Sequence, residues 1–262
     1  MKKYFSITRN SIMASMAYRV HFFFMLLGNL VYLIIIWFLW KAIYGDSTNM
    51  RGLSFIDTFS YLALAMSLFI LMQCWTEWAM ADTIISGNIM IYFLRPIDYQ
   101  LQLFFDVFGF MLSNFVTTLL PTWLVLVFGF HVALPLDLRV IIFGISLLFA
   151  FIISFCIDYL VGIMAFYTQS IWGLSMTKEV IVLLLSGALI PLTFFPPTLQ
   201  NWVNRLPFQA IYNLPLSILL HDFHFSKALR ILGVQLFWTV VLIILSRFVF
   251  SRAVRILTIN GG

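Results

Sequence analysis

Residues 20–43 read VHFFFMLLGNLVYLIIIWFLWKAI. A helix needs about 20 mostly apolar residues to cross the hydrocarbon core of a bilayer, and this run supplies them without a break. It follows the basic start Met1-Lys2-Lys3, which superficially resembles a secretory leader. The run is too long for a leader's apolar segment and no small-residue cleavage site follows, so it reads as a retained membrane helix. Runs of the same kind recur at 56–80, 102–130, 140–167, 179–195 and 229–250. The fifth meets Pro191, Pro196 and Pro197 and is expected to be short or broken, because proline removes a donor and crowds the preceding turn. Long continuous runs favour helices over the short alternating strands of a barrel. The expected fold is an all-α membrane protein with about six transmembrane helices in one domain over 1–262.

Composition agrees. The chain has 262 residues, 63% hydrophobic and 10% charged, where a soluble domain is about half apolar and a quarter charged. So large an apolar share does not fit inside one soluble core of this length. A soluble enzyme, a disordered chain and a nucleic-acid-binding domain are excluded on this basis. The net charge of +5 reads as orientation signal, not as affinity for nucleic acid. Lys2, Lys3, Arg9 and Arg19 precede the first run, and Arg247, Arg252 and Arg255 close the last. With six crossings both basic termini fall on one side, expected to be cytoplasmic. Cys74 and Cys156 sit in apolar runs and are expected as buried free thiols.

Three segments lie outside the spans. Residues 1–19 are expected to form an interfacial helix, with Phe5, Ile12, Met13, Met16 and Val20 on one side and Arg9 among them. Residues 81–100 are too polar at their ends to span. Asp82 suits a helix start, Gly87 a bend and Arg95-Pro96 a stop, so a short cytoplasmic helix is expected there. Residues 186–228 gather Pro191, Pro196, Pro197, Pro207 and Pro215, with greasy pieces between them too short to cross. Backbone broken at membrane depth must be covered by protein or line a cavity. An outer re-entrant helix pair over 196–228 follows, with Phe194, Phe195, Trp202, Phe208, Ile211 and Leu214 as its apolar side chains.

The sequence holds no G-x-x-x-x-G-K-[ST], no H-E-x-x-H and no G-x-S-x-G, so nucleotide, zinc-protease and serine-hydrolase chemistry have no motif here. Of His21, His131, His221 and His224, the last two flank Asp222 in a loop, which reads as a polar surface more than a metal site. A polar residue in a span is costly and so a functional candidate by default. Asp158 is the strongest, either as a polar wall of a transport path or as a charge paired with Lys178. Asn114 and Asp106 fall eight residues apart on the third run, Asp106 near its inner, wetter end. Glu77 sits beside Trp75 and Trp78 and reads as an interface anchor more than a proton carrier; with Asp158 and Asn114 it is also a candidate for the transport path or for a helix–helix polar contact. Trp37 and Trp40 mark the other boundary as part of an aromatic belt.

Three stretches then resemble a known family. They are Trp40-Lys41-Ala42-Ile43-Tyr44-Gly45, then Ile85-Ser86-Gly87-Asn88-Ile89 with Phe93-Leu94-Arg95-Pro96, then Ser186-Gly187-Ala188-Leu189-Ile190-Pro191-Leu192 with Phe194-Phe195-Pro196 and Leu206-Pro207-Phe208; the closing Gly261-Gly262 also fits. Their order across six runs is similar to that of the membrane subunits of bacterial ABC-2 type exporters. The resemblance implies a multi-pass permease of the bacterial cytoplasmic membrane. It implies pairing with a second permease, identical or related, and docking on a separate ABC ATP-binding subunit that holds ATP and Mg. The chain itself would bind no cofactor and catalyse nothing. Ser86, Gly87, Asn88, Ile89, Arg95 and Pro96 would form or flank the coupling helix. Pro191, Phe195, Pro196, Pro207 and Phe208 would belong to the re-entrant cap on the exit side. Few charges and many Phe, Leu and Ile point to an amphipathic or apolar cargo, a drug-like molecule, a lipid or a hydrophobic peptide. An ATP-independent secondary transporter and a membrane immunity or scaffold protein are the other classes the sequence admits. The first of these asks for an ion relay and inverted repeats that are not visible.

Overall fold

The computed structural model describes residues 2–17, 19–73, 75–130, 132, 137–220 and 224–256, the side chains of Arg19 and His21 excepted. Expectations attached to Cys74, His131, His221, Asp222 and Gly261-Gly262 lie outside the described residues. Cys156 is a buried free thiol, as expected.

Apolar residues at helical spacing set the architecture. In α2 (Arg19–Tyr44) the buried positions are Asn29, Leu33, Ile36, Trp40 and Tyr44, a single stripe with steps of three and four residues. Phe23, Phe24, Leu27, Val31, Ile34, Ile35 and Phe38 point away from the rest of the chain. A two-residue hairpin follows, β1 (Asn49–Met50) and β2 (Leu53–Ser54), pairing Asn49 with Ser54 and Met50 with Leu53. Ser54 and Asp57 then form a reciprocal cap on α3 (Phe55–Met72), each side chain taking the other's backbone N–H. α3 is the central helix. Two thirds of the apolar window in the Phe55–Ile85 span is buried, against 17% for α2.

The second run does not continue unbroken to residue 80. It stops at Met72 and restarts as α4 (Thr76–Ile85), with Trp75 at the restart in the left-handed region, φ 53°. Gly87, at φ 77°, turns the chain into the short α5 (Ile89–Phe93). Asp98 caps α6 (Tyr99–Asn114) by accepting from the Leu101 N–H at 2.8 Å. The third run carries a π-turn at Phe115–Leu119 before α7 (Leu120–Gly129). Pro121 accounts for it: proline has no N–H for the Thr117 carbonyl, and its ring would press on that oxygen in a regular helix. α8 (Leu138–Ile163), α9 (Trp172–Leu185), α10 (Pro197–Val203), α11 (Asn213–Leu220) and α12 (Phe225–Ala253) complete the chain.

Among the described residues five helical stretches are long and apolar enough to cross a membrane: Phe22–Tyr44, Phe55–Ile85, Tyr99–Gly129, Leu138–Phe166 and Phe225–Ile256. The helix expected at 179–195 is different. α9 starts earlier, ends at Leu185 and has 14 residues, about 21 Å at the usual rise, short of the roughly 30 Å hydrocarbon core. The chain still covers the distance. Ser175 and Lys178 near the start of α9 touch Glu77 and Asp158, at the end of the molecule where α8 finishes and α4 begins. Ser186, just past its other end, accepts from the Asn213 N–H at 3.2 Å, and Asn213 meets Tyr61 near the start of α3. Among the described residues the chain therefore runs between the two ends of the molecule six times, five times as one long helical stretch and once as α9 with a folded cap.

At the hairpin end, Gly52, Asp57, Arg139, Pro191, Leu192 and Asn213 enclose a cavity of about 420 Å³. The opposite end gathers α5, the start of α6 and the finish of α12, where Arg247 pairs with Asp98. α1 (Lys2–Ala17) packs on α6 in the same direction: Thr8 donates to the Phe105 carbonyl at 2.8 Å, Ser11 to that of Asp106 at 2.7 Å, and the Ser15 and Ser113 hydroxyls meet at 2.6 Å. Gly109 makes room, since a Cβ there would lie 2.5 Å from the Thr8 carbonyl oxygen. Small residues form the seam. Phe5, Met13, Met16 and Val20 face outward.

A buried ion cluster at a helix break

Three helices bring three charges together. Met80 and Gly162 hold α4 against α8 so closely that a Cβ on Gly162 would sit 2.9 Å from the Met80 Sδ. That approach places Glu77, in the first turn of α4, near Asp158 in α8. From α9, Lys178 Nζ lies 2.8 Å from Glu77 Oε1 and 2.8 Å from Asp158 Oδ1. Ser175, three residues earlier on the same face, donates to Glu77 Oε1 at 2.8 Å. Both acids are buried and Lys178 is largely so. Charges out of water are tolerated where they are paired and hydrogen-bonded.

Asp158 therefore takes the second of its two sequence readings, paired with Lys178. Glu77 corrects its anchor reading: it is 3% exposed and belongs to the interior network, not to an interface belt, because the break between Met72 and Thr76 turns α4 inward onto α8. Trp37 and Trp40 are likewise packed. Trp37 sits against Phe55, Phe59 and Phe130 with centroids 4.8, 4.8 and 5.2 Å away, and Trp40 lies 5.3 Å from Phe194. Asn114 is a helix–helix contact, its amide reaching the Ile70 carbonyl at 3.4 Å. Asp106 is exposed.

A cavity of about 40 Å³ adjoins the cluster, lined by Glu77, Asp158, Lys178 and Glu179 and by the apolar walls Phe69, Met72, Trp75 and Tyr212. It opens at the break between α3 and α4. The second oxygen of Glu77, Oε2, is buried and has no hydrogen-bond partner among the described residues.

The 86–96 corner joins α4 to α6. Ser86, Gly87, Asn88, Arg95 and Pro96 are exposed and Ile89 is fully buried as their anchor. Arg95 lies 4.9 Å over the Tyr92 ring. Ile85, Ile91 and Leu94 are apolar yet exposed, Leu94 at 85%.

The cap after α9 has its backbone satisfied from inside the chain. Gly187 turns at φ 82°, where a Cβ would meet the Tyr61 hydroxyl at 2.7 Å. Pro191 is buried, Phe195, Pro207 and Phe208 are half-buried, and Pro196 is exposed. Gln235 of α12, fully buried, donates to the Ala210 carbonyl at 2.9 Å and accepts from Ser146 of α8 at 2.8 Å. This tie between cap and helices is not foreseen from the sequence, although one Gln inside an apolar run is a readable signal. The same holds for Asn29, whose amide meets Thr122 at 2.5 Å.

Five long apolar helices with outward-facing Phe, Leu and Ile define an all-α multi-pass membrane protein. The family model described as ABC-2 family transporter protein matches residues 30–261. The chain belongs to that family. A search of curated proteins finds no match.

Proposed function

We propose that this chain is the permease subunit of an ATP-driven exporter. It forms the membrane path and couples to a separate ABC ATP-binding subunit that carries ATP and Mg. The observation that supports this best is the corner at residues 85–96. It is a short element that exposes Ile85, Ile91 and Leu94 together with Arg95, and it joins the central α3–α4 segment to α6. A push on such a corner reaches both helices. Ser86, Gly87, Asn88, Ile89, Arg95 and Pro96 are its coupling residues. A second permease chain, identical or related, completes the path. The corner faces the cytoplasm, so both termini do too, in the cytoplasmic membrane of a bacterium. The outward apolar faces meet lipid. The cap around Pro191, Phe195, Pro196, Pro207 and Phe208 closes the exit side, and the cargo is amphipathic or hydrophobic.

The test is co-purification in mild detergent with mass-spectrometric identification of partners. A stoichiometric P-loop ATPase is expected, and Leu94→Asp is expected to release it while the chain stays folded. A chain that purifies alone under conditions that preserve other membrane complexes overturns the reading.

A further inference from the structure

The last turns of α12 carry positive charge to the edge of the apolar region. The sequence has no acid beyond residue 222, and Arg247, Arg252 and Arg255 fall at the close of α12 and in the turn after it. Arg252 and Arg255 are exposed. Arg247 gives one nitrogen to Asp98 and stays 41% exposed, with further N–H groups in its fork. Beside Arg247 the surface is hollow. A groove of about 190 Å³ is formed by α6, α8 and α12, with Phe104, Ile152, Phe155, Cys156 and Ile243 as its apolar walls. Phe155 and Cys156 are buried at its floor, while Leu101 and Ile243 at its sides are exposed, so it opens sideways.

The groove has a direction. Leu148 and Ile145, both exposed, continue the stripe of Ile152 along α8 at steps of four and three residues. Ser146 on that stretch meets Gln235, so the stripe runs away from Arg247 toward the middle of α12. A cation stands at one end and an apolar channel leads from it toward the middle of the spans. In a bilayer this channel faces hydrocarbon, and leaving it empty forfeits the dispersion contacts of its walls. The pattern matches a phospholipid, with phosphate at the boundary and acyl chain toward the midplane. Basic pockets between membrane helices take anionic head groups. We propose that the groove holds one acyl chain of an anionic phospholipid whose phosphate lies at Arg247. The membrane-spanning class is enough for this. Only the leaflet, the cytoplasmic one, rests on the exporter reading above.

The test is native mass spectrometry of the delipidated full chain in mild detergent. The chain is titrated with dioleoylphosphatidylglycerol and, separately, with dioleoylphosphatidylcholine. A saturable phosphatidylglycerol adduct is expected, favoured over phosphatidylcholine by roughly fivefold. Arg247→Gln is expected to abolish the preference. Asp98→Asn keeps a capping side chain on α6 and frees Arg247, so it is expected to tighten phosphatidylglycerol binding several-fold. A role for Arg247 confined to its pair with Asp98 predicts no tightening, and that result overturns the phosphate contact. Ile243→Trp fills the groove and is expected to remove the saturable adduct. Leu236→Trp, at an exposed position on the same helix outside the groove, is expected to keep it. Equal affinity for the two lipids overturns the proposal, and so does unchanged binding in a folded Ile243→Trp chain. Displacement by glycerol phosphate at equal concentration overturns it as well, since the site is then one for free phosphate. A dimer that excludes lipid and is split by Ile243→Trp also overturns it, because a second copy then covers the groove. If Arg247→Gln does not fold, the two-lipid comparison and Ile243→Trp decide. No ATPase takes part, so a failed exporter reading leaves these outcomes unchanged.

Discussion

Single residues carry sharp constraints in this chain. Gly187 combines a left-handed φ of 82° with a Cβ position 2.7 Å from the Tyr61 hydroxyl. Alanine there pays both backbone strain and a clash, so Gly187→Ala is expected to cost at least about 1 kcal/mol. Gly28→Ala, on a helical glycine with nothing within 4 Å of its Cβ position, is the control and is expected to leave the thermal midpoint in detergent unchanged or slightly raised. Asp98 is a second case. Burial pushes its carboxyl up, but the Arg247 hydrogen bond, the Leu101 N–H and the Arg247 charge together hold it below the usual carboxylate value. A lowered folded-state value means that the stabilisation is present in full above about pH 4, the unfolded value, and fades as pH falls below it. Wild type and Asp98→Asn are expected to differ in thermal midpoint at neutral pH and to converge in acid.

Between elements, polar contacts decide what apolar surface leaves open. Lipid tails are as greasy as leucine, so buried small residues and hydrogen bonds position membrane helices. α1 shows this. The expected amphipathic stripe of Phe5, Met13 and Met16 faces outward, while Thr8, Ser11 and Ser15 meet α6. With the Ser15 and Ser113 oxygens 2.6 Å apart, cysteines at both positions are expected to cross-link on mild oxidation, and Gly109→Leu is expected to abolish the cross-link by pushing α1 off. The cap depends on Gln235 in the same way. Gln235→Ala strands the Ala210 carbonyl and the Ser146 hydroxyl, a loss of about 1–3 kcal/mol for a buried unsatisfied group. Faster tryptic cleavage at the exposed Arg205 reads this out.

The whole molecule is defined by its six passages between two ends. Five are legible as apolar runs, and the sixth is assembled from α9 and the cap. Membrane-impermeant labelling of single cysteines tests that count. Cysteines at Asn49 and Thr193 are expected to label from one side, and those at Asn88 and Ser251 from the other. If Asn88 and Ser251 label from opposite sides, the composite passage is wrong. The buried cluster of Glu77, Asp158 and Lys178 lies where this passage meets α4 and α8. In the proposed exporter, a push on the 86–96 corner would act on helices that hold charge at their contact.

The sequence by itself determined the solvent. Its apolar runs demand lipid, and their number and length set the class, the spans and, through the proline-rich stretch after residue 186, the place of the irregular backbone. Apolar periodicity is local, so it survives in one dimension. Partners are not local. Which oxygen meets Lys178, that Glu77 turns inward at a break with no glycine or proline among its visible causes, and that Gln235 ties α12 to a carbonyl 25 residues away depend on helix rotation and tilt. Those follow from close approaches such as Met80 on Gly162 and Thr8 on Gly109. Only the packed structure decides them, because a charge inside an apolar protein takes whichever partner the backbone geometry brings within reach.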